Sequence, residues 1–183
     1  PLPLSVDTSK PGVAKAALEA GADLINDIWG LQKEPEMVQV LADAQAPVII
    51  MHNKATADYN DLMAEVAGFL KASINLAVAH GLSRDKIIID PGIGFGKSTV
   101  DNLTVINRLD ELKALGAPIL LGTSRKSVIG QVLHLPVEER IEGTAATVSV
   151  GITRGADLIR VHDVKAMVRV ARMTDAIVRS SSD

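Results

Sequence analysis

Cysteine is absent from the chain, so disulfides and thiolate metal sites are excluded, and a cytoplasmic location is the expectation. Aromatic residues are scarce: one Trp, one Tyr and two Phe among 183 residues. Trp29, Tyr59 and Phe95 follow apolar runs instead of lying within them, and only Phe69 falls inside a helical pattern. A core of Ala, Leu, Ile and Val with rings kept for loops suits a flat ligand, or cover for one end of a barrel. Basic blocks are missing too, and net charge is −3. Nothing in that balance points to nucleic acid or an anionic membrane surface. No apolar run is read as approaching a membrane span, and no signal peptide is read. A soluble globular chain is expected, long enough for one domain over residues 1–183.

What is present is a repeated unit. A helical pattern closes at Gly or a polar turn, a short apolar run follows, and that run ends in polar residues. The instances are "LSVDTS" (4–9), "ADLINDIWG" (22–30), "APVIIMHNK" (46–54), "KIIIDPG" (86–92), "APILLGTSRKS" (117–127) and "ADLIRVHD" (156–163). Helical stretches are expected near 11–20, 34–45, 61–81, 100–115, 137–154 and 164–180. Continuous apolar runs alternating with helices predict parallel strands buried on both faces. Six similar units favour a (β/α) barrel over a doubly wound sheet, and a complete barrel has eight. The expectation is an α/β chain of the TIM-barrel type, incomplete, carrying the last six of eight βα units.

In such folds ligands meet the carboxyl ends of the strands. There the chain places Asp7, then Asn26 and Asp27, then His52 and Asn53, then Asp90, then Ser124, Arg125 and Lys126, then Arg160, His162 and Asp163. Asp7 with Thr8 and Ser9 also suits a helix cap ahead of Pro11. The loop "DPGIGFGK" is neither a P-loop nor a dinucleotide fingerprint: the first glycine of one falls on Pro91, the third of the other on Lys97. Asp90 ends a wholly apolar strand, and a carboxylate suits a ring edge with an N–H beside an amino group. Asn26 can donate and accept, Phe95 can cover a ring face, and Lys126 can donate to a ring carbonyl or nitrogen. Arg160 and His162 alternate, so both point one way and make an anion site. A 2-amino-4-oxo-pyrimidine ring with a phosphate-bearing arm satisfies the set. His52, His80, His134 and His162 lack metal-ligand spacing, and Ser124 and Ser127 show no arrangement of an activated nucleophile.

These residues resemble the dihydropteroate synthase family. "DPGIGFGK", "GTSRKSVIG" and "RVHDV" are similar to three of its signature segments, and "SVDT", "IND" and "MHN" also match. The resemblance implies condensation of 6-hydroxymethyl-7,8-dihydropterin pyrophosphate with 4-aminobenzoate, giving dihydropteroate and pyrophosphate in folate synthesis, with Mg²⁺ assistance and commonly as a homodimer. It implies a pterin pocket of Asp7, Asn26, Asp90 and Lys126 lined by Met51 and Phe95. Ser127 is implied near the aminobenzoate carboxylate, and Arg160 and His162 at pyrophosphate. Lys126, Asp90 and Arg160 carry the implied catalytic roles.

The family's "N-V-T-P-D-S-F"-like and "G-E-S-T-R-P-G"-like loops are not found in this sequence. The Mg²⁺-binding Asn is expected in the first of them, so no metal ligand is assigned here, and low turnover is expected of these residues alone. Two other functions fit a pterin site: a methyltransferase domain using methyltetrahydrofolate, and a non-catalytic pterin-binding fragment.

Overall fold

The computed structural model describes residues 2–180. Its strands are β1 (Ser5–Asp7), β2 (Leu24–Asp27), β3 (Val48–Met51), β4 (Ile87–Asp90), β5 (Leu120–Leu121) and β6 (Leu158–Ile159). Its helices are α1 (Pro11–Glu19), α2 (Glu36–Ala44), α3 (Leu62–Ala79), α4 (Thr99–Asn107), α5 (Ser127–Leu133), α6 (Ile141–Thr153) and α7 (Val164–Val178). Strands β1 to β4 pair in chain order, all parallel, as do β5 and β6, and a parallel bridge from Ile89 to Ile119 joins the two groups. The result is an open arc of a (β/α) barrel with helices outside.

Register decides what faces the interior. Parallel pairing aligns Ile25 with Val48, and Val48 with Ile87. These residues, with Ile50 and Ile89, belong to the main core, packed with Leu41, Leu70 and Ile74 from α2 and α3. Side chains alternate along a strand, so the residues between them point the other way. That inner set includes Asp7 beside Asn26, Asn26 beside Ile49, Ile49 beside Ile88, and, one layer nearer the carboxyl ends, Met51 beside Asp90.

Local chemistry explains the helix starts. Pro11 opens α1, Asp61 caps α3 by accepting from the Ala64 amide, and Ser98 with Asp101 forms a capping box on α4. Three expectations need correction. The helix expected over 100–115 is α at its start only, and a 3₁₀ stretch runs over Leu109–Leu115. The helix expected over 137–154 begins with a separate 3₁₀ turn, Val137–Glu139, and α5 was not foreseen because 117–127 reads as strand and strand end. Finally, α3 is, by length and composition, long and apolar enough to cross a membrane. Its Met63, Val66, Leu70, Ile74 and Ala77 lie in the core, so it reads as a core helix.

Candidate pterin site

A cavity of about 350 Å³ opens at the carboxyl ends of the strands. Asp7, Met51, Asp90, Phe95, Lys126, Arg160 and His162 line it, together with Ser124. A larger groove, about 680 Å³, lies between α1 and α2, away from the strand ends. The smaller cavity is the candidate site because charged and hydrogen-bonding groups from four strands or the loops that follow them converge there.

Asp90 is buried, and one of its oxygens accepts from the Gly92 amide at 2.7 Å. Among the described residues its other oxygen has no protein donor. Burial pushes this carboxyl above its ordinary range, against the pull of the Gly92 amide, Lys126, Lys97 and Arg160. Lys126 donates to the Ile93 carbonyl and sits 5.0 Å from the Phe95 ring centre. Burial lowers its ammonium, and Asp90 opposes that shift.

Asp7 does not cap α1, whose N-cap is Lys10. Its carboxylate instead accepts from Asn26 Nδ2 at 2.7 Å and from Arg160 at 2.5 Å. Asn26 is not among the lining residues; its Nδ2 is committed to Asp7, and among the described residues its buried Oδ1 has no partner. Strand β6 ends at Ile159, so Arg160 and His162 lie just past it. The His162 amide goes to Ser124 Oγ, not to the backbone of a neighbouring strand, and His162 Nδ1 meets the same hydroxyl at 2.9 Å.

Ser127 does not line the cavity; it is exposed as the first residue of α5. Asp27 is spent on the turn after β2, accepting from the Trp29 and Leu31 amides. Arg125 and Asp163 pair with each other through two 2.8 Å bonds. Of the four aromatic rings only Phe95 reaches the cavity. Tyr59 donates to the Gly96 carbonyl at 2.6 Å, and Phe69 packs edge-on to His52 at 5.0 Å.

The sequence reading missed two things. Ile28, Gly122 and Val161 complete the wall, and only their place at strand ends could have signalled it. Behind the wall, Lys97 Nζ meets His52 Nδ1 at 2.8 Å and donates to the Gly92 and Phe95 carbonyls at 3.1 Å each, tying down the loop that carries Phe95. Burial drives Lys97 down to about 7, and burial with two neighbouring lysines drives His52 to about 3.

A family described as pterin binding enzyme matches residues 1–162. The chain belongs to that family. It is 50% identical over 177 residues to the dihydropteroate synthase of Bacillus subtilis, spanning 97% of this chain and 62% of that protein. With the enzyme of Clostridium beijerinckii it is 53% identical over 179 residues, covering 97% and 66%. A crystal structure of the Clostridium difficile dihydropteroate synthase in the presence of pteroic acid superposes with a TM-score of 0.96 at 49% identity, covering 98% of this chain and 69% of that one. A Yersinia pestis dihydropteroate synthase with a sulfonamide drug gives 0.95 at 38% identity, covering 98% and 68%. The chain thus spans about 62% of the length of the Bacillus relative. As a member of the pterin-binding family, it carries the incomplete TIM-type barrel expected from its repeated units.

Proposed function

We propose that these residues form the pterin and pyrophosphate side of a dihydropteroate synthase site. The observation that carries the reading is the buried Asp90 carboxylate, open on one oxygen to a cavity that also carries Arg160 and His162. A dihydropterin edge with an N–H beside an amino group satisfies that carboxylate, Lys126 has donors left for the ring, and Phe95 and Met51 supply apolar cover.

In the condensation the nitrogen of 4-aminobenzoate bonds to the pterin methylene carbon as the carbon–oxygen bond to pyrophosphate breaks. The electron pair leaves with pyrophosphate, and the nitrogen gives up a proton. A neutral aromatic amine needs no strong base before attack, so the work is orientation and fixed charge. Asp90 and Asp7 favour positive charge on the pterin, and Arg160 and His162 favour the departing anion. Arg160 holds Asp7, and its planar group has further N–H donors for an anion. Ser127, exposed at the start of α5, is assigned in this reading to the aminobenzoate carboxylate. Among the described residues no three of His, Asp and Glu stand together to hold a metal ion. Mg²⁺ would need only one or two protein oxygens beside the substrate phosphates and water, and the asparagine expected to hold it belongs to the loop not found in this sequence.

The test is pyrophosphate release by the full-length protein given dihydropterin pyrophosphate and 4-aminobenzoate. Release that requires both substrates is expected. Methyl transfer from methyltetrahydrofolate without any release would overturn the reading, because methyl transfer leaves Arg160 and His162 without an anion to hold.

A further inference from the structure

Arg125 stands between Ser124 and Lys126, both on the cavity wall, and its backbone lies in the left-handed region at φ 52°. A residue with a long side chain adopts that conformation only where its surroundings hold it there. Two of the holders come from the start of α6. The Arg125 amide donates to Thr144 Oγ1 at 3.0 Å, and Arg140 Nη1 donates to the Arg125 carbonyl at 3.0 Å. Both ends of the strained residue are therefore bonded to the same short stretch.

That stretch is itself anchored. Thr144 is fully buried, and its hydroxyl donates to the Arg140 carbonyl at 2.9 Å while accepting from Arg125. Arg140 Nε donates to the Leu135 carbonyl at 3.0 Å. A side chain at Gly130, on α5, would fall on the Arg140 guanidinium, so α5 leaves the space this group occupies. Neither Arg140, Thr144 nor Gly130 lines the cavity.

We infer that Arg140 and Thr144 are positioning residues that hold Arg125 in its left-handed conformation and so turn Ser124 and Lys126 into the site. The catalytic part of this rests on the synthase reading above; the conformational part does not. Arg140 acts through the backbone of Arg125 and touches no substrate.

The test uses the full-length protein and two readouts. Amide hydrogen exchange at Arg125 and Lys126 reads the conformation: at least tenfold faster exchange is expected in Arg140→Ala, with helices α1 to α3 unchanged. The specificity constant for dihydropterin pyrophosphate reads the consequence: a fall of at least tenfold is expected, with partial recovery in Arg140→Lys. Adding Arg125→Gly to Arg140→Ala removes the steric penalty at positive φ, and recovery of much of the lost rate is expected, which a merely structural defect would not show. Should Arg140→Ala fail to fold, Gly130→Ala displaces the same guanidinium with every polar group retained, and the same two changes are expected. Unchanged exchange in a folded Arg140→Ala or Gly130→Ala protein overturns the inference, as does a rate loss that Arg125→Gly leaves untouched. A parent protein that releases no pyrophosphate counts against the synthase reading alone, and exchange then still decides the conformational claim.

Discussion

Replacing Asp90 by Asn keeps the shape of the side chain but puts a donor where the ring N–H groups need an acceptor. A loss of about 1.5–3 kcal/mol in dihydropterin affinity is expected, the scale of a charged hydrogen bond, and calorimetry would read it as roughly ten- to hundredfold. Unchanged affinity would remove Asp90 from the site. For Arg160→Ala, pyrophosphate binding should weaken more than for His162→Ala, because the guanidinium is the permanent charge, while pterin lacking phosphate should bind nearly as before. Intact pyrophosphate affinity would show that the anion sits elsewhere. Behind the wall, His52 and Lys97 set a pH signature. The unfolded His52 takes a proton near 6.5 and the folded one only at about 3, so the unfolded state binds more protons between those values and stability falls as pH drops through them. Lys97 behaves alike at the other end: between about 7 and 10.5 the unfolded state holds the extra proton, so stability rises with pH there. Each group contributes a slope of at most about 1.4 kcal/mol per pH unit. Urea unfolding across pH should show the alkaline slope reduced in Lys97→Met, and an identical slope would mean Lys97 does not titrate as described. The sequence showed Asp90, Lys126 and Arg160 because polar groups at the ends of apolar strands are conspicuous. It hid the roles of Lys97 and His52, because a lysine in a glycine-rich loop reads as solvated until its acceptors are seen.

At the scale of the element, the loop after β4 is held by close backbone contact. Gly92 at φ 71° and Gly96 at φ 54° lie where a side chain would meet the His52 and Lys54 carbonyl oxygens. Backbone cannot yield as a flexible side chain can, so Gly92→Ala should destabilise by on the order of 2–3 kcal/mol. It should also weaken pterin binding, because Phe95 rides on the same loop. Urea unfolding with calorimetry tests both, and a loss of less than about 0.5 kcal/mol, the scale of an ordinary surface change, would count against the close packing. The repeated strand–helix unit was legible here because apolar runs and C-terminal glycines are local signals. The short helix α5 was not, since "SVIGQVL" gives too few turns for a period to emerge and follows directly on a polar strand end.

For the whole molecule, closure is the open matter. Among the described residues β1 pairs only with β2, and β6 only with β5, so each presents one free edge. Asp7 and Arg160 meet across the gap, but both are about half exposed, and an exposed ion pair contributes little, on the order of 0–1 kcal/mol. A polypeptide of residues 1–183 made on its own should therefore self-associate through its edges. It should hold a dihydropterin more readily than condense it, since the proposed pterin contacts are present while Ser127 alone is assigned to the second substrate and no metal ligand is assigned. Sedimentation velocity at micromolar concentration, with a pyrophosphate-release assay beside the Bacillus subtilis dihydropteroate synthase, checks both. A clean monomer turning over at the rate of that enzyme would refute the prediction.

Alternation of apolar runs and helices, together with the polar residues that end each run, was enough to specify parallel strands and a site at their carboxyl ends. Those are short-range properties: periodicity and position along a strand are written into neighbouring residues. Which polar groups stay free for a ligand was a tertiary matter. Asp7 finds Arg160 across 153 positions, Arg125 finds Asp163 and Ser124 finds His162 across 38, and Asn26 gives its Nδ2 to Asp7 because strand register sets the two side by side. Ser127 turns outward because a helix begins there. Hydrogen-bond partners so far apart in the chain are chosen by how strands align and how helices pack, and no local pattern encodes that choice.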